Sequence, residues 1–277
     1  MRAIDADVVR VGPPRRWPRL RLGEILRTRE LLYFLVWRDI KVRYKQTALG
    51  ELWAVLQPFI TMVVFTIFFG KVAGVSSEGL PYPVFSFTAL VPWTLFSTAV
   101  AQSAGSLVGS SNLITKAFFP RVIIPIAAIG GSMVDFLLAS VMLVGFLIYY
   151  QIAPDVQAFA VVAFTFLAIV AVLGLGFWLS ALNVRYRDVR YALPFLLQLW
   201  LFCTPIAYSA RPLEGVWSAL YGINPMASVA EGFRWALLDT PPPDPQLLAT
   251  SIASTVLLLV SGFFYFRKVE STFADVI

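Results

Sequence analysis

Six stretches of this chain run for about twenty residues or more with almost no charge, and a helix needs roughly that length to cross a hydrocarbon core. Leu52 to Gly70 is the first, bracketed by Glu51 and Lys71. Gly79 to Thr115 is too long for one crossing. Pro81, Pro83 and Pro92 crowd its start and Gly, Ser and Asn fill its end, which predicts a helix over about 86–108. The others are Val122 to Tyr150, broken only by Asp135, then Val156 to Val184, Tyr191 to Ala210, and Pro245 to Phe266. Backbone groups in lipid must be satisfied inside the segment that carries them. The runs therefore predict an all-α polytopic membrane protein with six transmembrane helices.

Composition closes off the alternatives. Hydrophobic residues make up 58% of the 277 and charged ones 14%, against about 45–50% and 25% in a soluble domain. There is no histidine and a single cysteine, Cys203. Imidazole acid–base catalysis, imidazole metal sites and an intrachain disulfide framework are all excluded.

The cations orient the bundle through their preference for the cytoplasmic side. Residues 1–50 hold 12 Lys and Arg. Lys116 and Arg121 lie between spans two and three, Arg185, Arg187 and Arg190 between four and five, and Arg267 and Lys268 in the tail. Together that is 19 of 22 on one side; only Lys71, Arg211 and Arg234 fall on the other. Both termini are predicted to be cytoplasmic (N-in/C-in). The first 20 residues, rich in Arg and Pro with no apolar run, read as a cytoplasmic arm rather than a signal peptide. The net charge of +6 sorts by membrane side, so it argues for anionic lipid and not for nucleic acid.

Three segments are not simple spans. Glu24 to Gln46 is helical by pattern but too charged to cross. Tyr33, Val36, Trp37, Ile40 and Tyr44 form one stripe, with Leu35 and Val42 on the far face. Arg38, Lys41 and Lys45 flank the stripe on one side, Asp39 and Arg43 on the other. This suits an amphipathic helix in the cytoplasmic membrane interface; a helix packed in a small cytoplasmic subdomain stays open. Gly109 to Pro125 contains a short helix that Asn112 is expected to cap and Pro120 to end. Its Leu113, Ile114, Phe118 and Phe119 beside Lys116 and Arg121 make either a docking knob for a partner protein or interfacial anchors. Between spans five and six, Asn224-Pro225 starts a helix within an uncharged run, Gly215 to Ala230, that is short for a crossing. Two re-entrant helices, or two helices on the outer surface, both fit.

Chemistry of its own is scarce. There is no G-x-x-x-x-G-K-[ST] phosphate loop, no catalytic triad and no metal cluster. Asp135 is the one carboxylate well inside a span, so it is a functional candidate by default. One Asp without a nearby intramembrane cation makes a poor relay, and the small pair Gly130 and Gly131 suggests contact with a neighbouring helix instead. A passive channel and a permease powered by a separate subunit both remain.

The run Arg38-Asp39-Ile40-Lys41-Val42-Arg43-Tyr44-Lys45-Gln46-Thr47-Ala48-Leu49-Gly50, continuing Glu51-Leu52-Trp53-Ala54-Val55-Leu56-Gln57-Pro58, resembles the permease subunit of ABC-2-type polysaccharide exporters. So do Phe119-Pro120-Arg121, Asn183-Val184-Arg185-Tyr186-Arg187-Asp188, Thr204-Pro205-Ile206-Ala207-Tyr208 and Asn224-Pro225, in the expected order. Such permeases export O-antigen, capsule or teichoic-acid polymers. The resemblance implies an ABC-2 (type V exporter-like) permease in a bacterial inner membrane. The first 20 or so residues lie outside the resemblance; the domain reading is a cytoplasmic arm over 1–22, an interface helix over 23–47, a permease domain over 48–268 and a cytoplasmic tail over 269–277. The resemblance further implies a coupling loop at 109–121 and a re-entrant exit segment at 211–240.

The resemblance also implies partners: a second copy of the chain, two cytoplasmic ATPase subunits holding ATP and Mg2+, and an undecaprenyl-type lipid-linked glycan. The chain itself would hold no cofactor and be no enzyme. Asn112, Lys116, Phe118, Phe119, Pro120 and Arg121 become candidates for coupling to the ATPase, and Arg38, Asp39, Lys41, Arg43 and Lys45 for the interface helix. Sugar rings stack on aromatic faces, so Trp53, Phe59, Phe65, Phe69, Phe195 and Trp200 are candidate channel-lining residues. Tyr208, Tyr221, Asn224 and Pro225 are candidates for an exit gate. Two other functions stay in play: an ABC-2 lipid or drug efflux permease, and a membrane-embedded glycan transferase using Asp135 or Glu231.

Overall fold

The computed structural model describes residues 28–44, 52–116, 119–210 and 215–273. Lys45 and Phe118 lie outside the described residues, as do the predicted N-terminal arm and the end of the tail. The described residues form helices α1 (Arg29–Tyr44), α2 (Leu52–Phe65), α3 (Tyr82–Gly109), α4 (Ser111–Lys116) and α5 (Ile123–Tyr149), followed by α6 (Ala160–Arg185), α7 (Val189–Cys203), α8 (Val216–Tyr221), α9 (Pro225–Leu238) and α10 (Pro245–Val269). A π-helical stretch, Thr66–Val72, prolongs α2, and 3-10 turns precede α6 and follow α10. No strand occurs among the described residues.

Among the described residues, five helices are long and apolar enough to cross a membrane: Leu52–Val72, Tyr82–Gly109, Ile123–Tyr149, Val156–Arg185 and Pro245–Thr272. The fifth predicted span is shorter. It is the 15-residue α7, about 22 Å at 1.5 Å per residue against a hydrocarbon thickness of about 30 Å, and an irregular segment, Thr204–Ala210, continues it.

The core sits around α3, which packs on α2, α5, α6 and α9. In its most apolar window 78% of the residues are buried, against 17% for the first span. Pro81 and Pro83 lie at its start, where no helical N–H is needed, and Pro92 is carried inside the helix. It begins four residues before the predicted start, because the prolines that looked like loop punctuation fit a first turn. Helix α6 lies against α10 through small residues: a β-carbon at Gly174 would stand 2.6 Å from the backbone carbon of Leu258. One turn on, Trp178 donates to Ser261 Oγ at 3.0 Å and stacks on Tyr265 with ring centroids 4.3 Å apart.

Helix α1 packs along the first half of α5. Leu35 is buried against Ile123 and Ala127, and Val36 sits over Gly130, whose missing side chain would have met Val36 Cγ1 at 2.6 Å. The far face of the predicted stripe is therefore partly the packing face. Tyr33 and Trp37 of the stripe stay exposed, together with Phe34 and Val42.

Successive spans alternate in direction, so the bundle has two ends. Among the described residues, every Lys and Arg except Lys71 and Arg234 lies on elements that meet one end, hereafter the basic end. That end holds α4, the start of α5 and the close of α10; the opposite end holds α8, α9 and the segment 204–210.

Candidate functional site

At the opposite end the predicted gate residues come together. Asn224 caps α9, its Oδ1 accepting from Met226 N at 3.0 Å, with Pro225 in the first helical position. The same oxygen accepts from Trp200 Nε1 at 2.9 Å. The Asn224 amide donates to Thr204 Oγ1 at 3.0 Å and to the Cys203 carbonyl at 3.3 Å. One asparagine thus ties the end of α7 to the start of α9. Tyr208 and Tyr221 share a hydrogen bond of 2.8 Å between their hydroxyls. Burial, and after it that bond to Tyr208, pushes the Tyr221 hydroxyl well above the ordinary tyrosine range, so it keeps its proton and stays a neutral donor.

Beneath this cluster lies a group the sequence reading missed as a site. Arg234 is fully buried. Its guanidinium donates to the carbonyls of Phe85 (3.3 Å), Tyr208 (3.2 Å) and Ile206 (2.8 Å) and to Glu231 Oε1 (3.1 Å). It also stands 3.7 Å over the Phe85 ring. Glu231 Oε1 in turn accepts from Ala210 N at 2.9 Å, and Tyr82 Oη donates to the Ala207 carbonyl at 2.6 Å. Burial lowers the Arg234 pKa and the Glu231 carboxylate opposes that shift. The irregular segment Thr204–Ala210 leaves carbonyls without helical partners, and a planar fork of five donors on α9 gathers them. The i, i+3 spacing of Glu231 and Arg234 on a capped helix was the available signal. Counting Arg234 only as an outer-side cation concealed it.

On the side of the basic end, from the end of the bundle to the middle of α5, the polar groups are looser. Arg43 pairs with Asp135, each side chain about one-fifth exposed. Asp135 does have a nearby cation, supplied by α1, and Gly131 gives the Arg43 guanidinium room. Arg38 pairs with Asp39 at 2.8 Å on an exposed surface, and Lys41 stands 4.4 Å over Trp37. A cleft of about 700 Å3 opens beside them, lined by Arg38, Asp39 and Arg43 and by Gln102, Ser106 and Ser110 across from α1.

The coupling candidates divide by exposure. Asn112, Thr115 and Lys116 are exposed on α4, while Ile114 is buried. Asn112 does not cap this helix, which begins one residue earlier; the Ser110 carbonyl accepts from Leu113 N and Ile114 N. Phe119, Pro120 and Arg121 are half-buried. Phe119 packs on the cluster of Ile114, Val122, Phe266 and Phe273, and Arg121 bonds to Glu270.

The aromatic candidates also divide. Trp53 and Phe195 are exposed by more than half. Phe59 stacks on Phe146 at 6.5 Å. Phe65 is buried between Phe69 and Phe202, because α2 turns this face to α3. Trp200 is half-buried and held by Asn224. Within a single chain, then, Phe65 has almost no surface to offer to a channel.

Among the described residues no group of three or more His, Cys, Asp or Glu is placed to hold a metal ion. Asp135 and Glu231, the carboxylates weighed for transferase chemistry, are both engaged with arginines.

The sequence profile of the family described as "ABC-2 type transporter" matches residues 30–238. The chain is 29% identical over 255 residues to the O-antigen export system permease protein RfbA of Myxococcus xanthus, covering 91% of this chain and 97% of that protein. It is 28% identical over 256 residues to the Klebsiella pneumoniae protein of the same description, covering 90% and 95%. Against the polysialic acid transport protein KpsM of Escherichia coli it is 26% identical over 207 residues, covering 73% and 78%.

Proposed function

The chain belongs to the ABC-2 type transporter family, and from that premise we propose that it is the membrane permease subunit of an ATP-driven exporter of a lipid-linked polysaccharide. It is a multi-pass membrane protein, with five helices among the described residues long and apolar enough to span. The observation that carries the substrate class is the likeness, along nine-tenths of the chain, to O-antigen export permeases.

In this reading α7 and the segment that prolongs it act as the sixth crossing, giving a six-span, N-in/C-in subunit in a bacterial inner membrane. The basic end faces the cytoplasm, as the distribution of cations favours. Two copies enclose the glycan path. Trp53 and Phe195, uncovered in the single chain, are the candidates to meet the sugar, and α1 lies at the cytoplasmic interface. Helices α8 and α9 re-enter the outer leaflet, where the Tyr208, Tyr221 and Asn224 cluster frames the exit.

The chain carries no phosphate-binding loop motif in its sequence, so ATP and Mg2+ are assigned to two partner ATPases. These seat against α4, where Asn112 and Lys116 are exposed. Channel export of a long polymer requires weak, repeated contacts, and exposed aromatic faces supply them.

Deletion of the gene is expected to leave lipid-linked glycan on the cytoplasmic leaflet, detected by lipid extraction and glycan analysis. Normal glycan export in the deletion strain, with altered drug or lipid efflux, would move the substrate to the alternative class. In membranes holding the permease and its ATPase, Lys116→Glu is expected to lower coupled ATP hydrolysis at least tenfold without changing the unfolding temperature. Unchanged coupling would remove α4 from the contact.

A further inference from the structure

The close of α10 is built into the underside of α4 and Phe119–Val122, together the docking segment of the reading above. After Pro120, which has no N–H, the first backbone donor is that of Arg121. Glu270 Oε1 accepts it at 3.2 Å. The Arg121 guanidinium donates in return to the backbone carbonyl of Glu270, which also accepts from the Phe273 N–H in the 3-10 turn that follows α10. The other carboxylate oxygen of Glu270 accepts from Arg267 Nη1 at 2.8 Å. A single half-buried carboxylate thus serves a backbone amide on one element and a cation on another, while its own carbonyl serves a second cation.

The apolar side points the same way. Phe273, the last described residue, is fully buried. It meets Phe266 edge-on at 5.3 Å and shares one cluster with Ile114 and Val122, the inward residues of the docking segment. A tail that only followed the last span would have no reason to bury a phenylalanine there.

We propose that Glu270 and Phe273 are positioning residues that clamp the docking segment to the end of α10, so that a push on α4 is delivered to the sixth crossing as well as to α3 and α5. The proposal rests on the reading of α4 as the ATPase contact; the clamp itself is a property of this chain and is testable apart from it.

The experiment uses the full chain with its ATPase in lipid nanodiscs, comparing wild type, Glu270→Ala, Glu270→Gln and Phe273→Ala. Amide hydrogen exchange is read for residues 111–122, with α3 and α9 as internal references. Glu270→Ala and Phe273→Ala are expected to speed exchange of that segment at least tenfold and leave α3 and α9 within twofold. Glu270→Gln, which keeps an acceptor for the Arg121 amide, is expected to recover most of the protection. ATP-driven glycan export should fall at least fivefold in the two alanine variants and recover with Glu270→Gln. Unchanged exchange in both alanine variants overturns the clamp. Loosened exchange with wild-type export overturns its role in transmission. Absence of ATP-driven export in the wild type itself strikes the functional reading instead, and the exchange result still judges the clamp.

Discussion

The two ends of the bundle treat their charges in opposite ways. At the end that holds α8 and α9, Arg234 is sealed from solvent and its guanidinium makes four hydrogen bonds, with each of its three nitrogens engaged. Toward the basic end the Arg43–Asp135 pair, midway along α5, keeps about a fifth of each side chain exposed, and Arg38–Asp39 is open. A buried charge needs its partners in place, whereas an exposed pair such as Arg38–Asp39 is exchanged for water at little penalty. The Arg234 network is thereby held in a single geometry, and the Arg38–Asp39 pair is not.

Substitutions that remove one partner at a time give the contrast numbers. The largest effect is expected from Arg234→Ala, which leaves Glu231 buried without its cation and frees three carbonyls. Breaking such a pair costs about 3–5 kcal/mol, read as a lower unfolding midpoint of the purified protein and poor recovery from membranes. Arg234→Lys should recover less than half of it, since a point charge on a flexible stem cannot serve carbonyls spread over Phe85, Ile206 and Tyr208. Full recovery by lysine would show that charge alone matters there.

Asn224→Ala comes next. It removes a helix cap and the bonds to Trp200 and Thr204, a loss of about 2 kcal/mol by the same measurement. Trp200 fluorescence should shift as its indole loses a partner. The smallest effect is expected from Asp135→Asn, about 1 kcal/mol or less because the Arg43 pair is partly solvated. A penalty there as large as that of Arg234→Ala would erase the distinction between the two ends.

Much of the architecture was legible because lipid is an unforgiving solvent. Uncharged runs bounded by Glu51, Lys71 and Arg185 mark spans with few alternatives, and the described helices begin and end close to them. The approach of a helix to Gly130 and Gly131 was legible too, since small residues invite contact. Which helix approaches was not: Arg43 lies 92 residues from Asp135, and no local pattern records that distance. Phe65 and Phe195 look alike in the sequence, yet one is buried and the other exposed, because packing rather than composition chooses the face that a span turns inward. The Arg234 network escaped for a related reason. Three of its four acceptors are main-chain carbonyls, in Phe85, Ile206 and Tyr208, and backbone atoms carry no sequence signature.

The π-helical close of the first span has its own consequence. From Thr66 to Val72 the backbone is wound more widely than an α-helix, with Ala73 N bonded to the Phe68 carbonyl at 2.8 Å. Gly70 there lies so close to the Tyr82 ring that a β-carbon would stand 2.9 Å from it. Rewinding this stretch to the ordinary pitch would rotate Phe68 and Phe69 about the helix axis without disturbing Leu52–Phe65 below. The first span is therefore wound wider at the tip away from the basic end, and Phe68 and Phe69 stand at azimuths that the ordinary pitch would not give them.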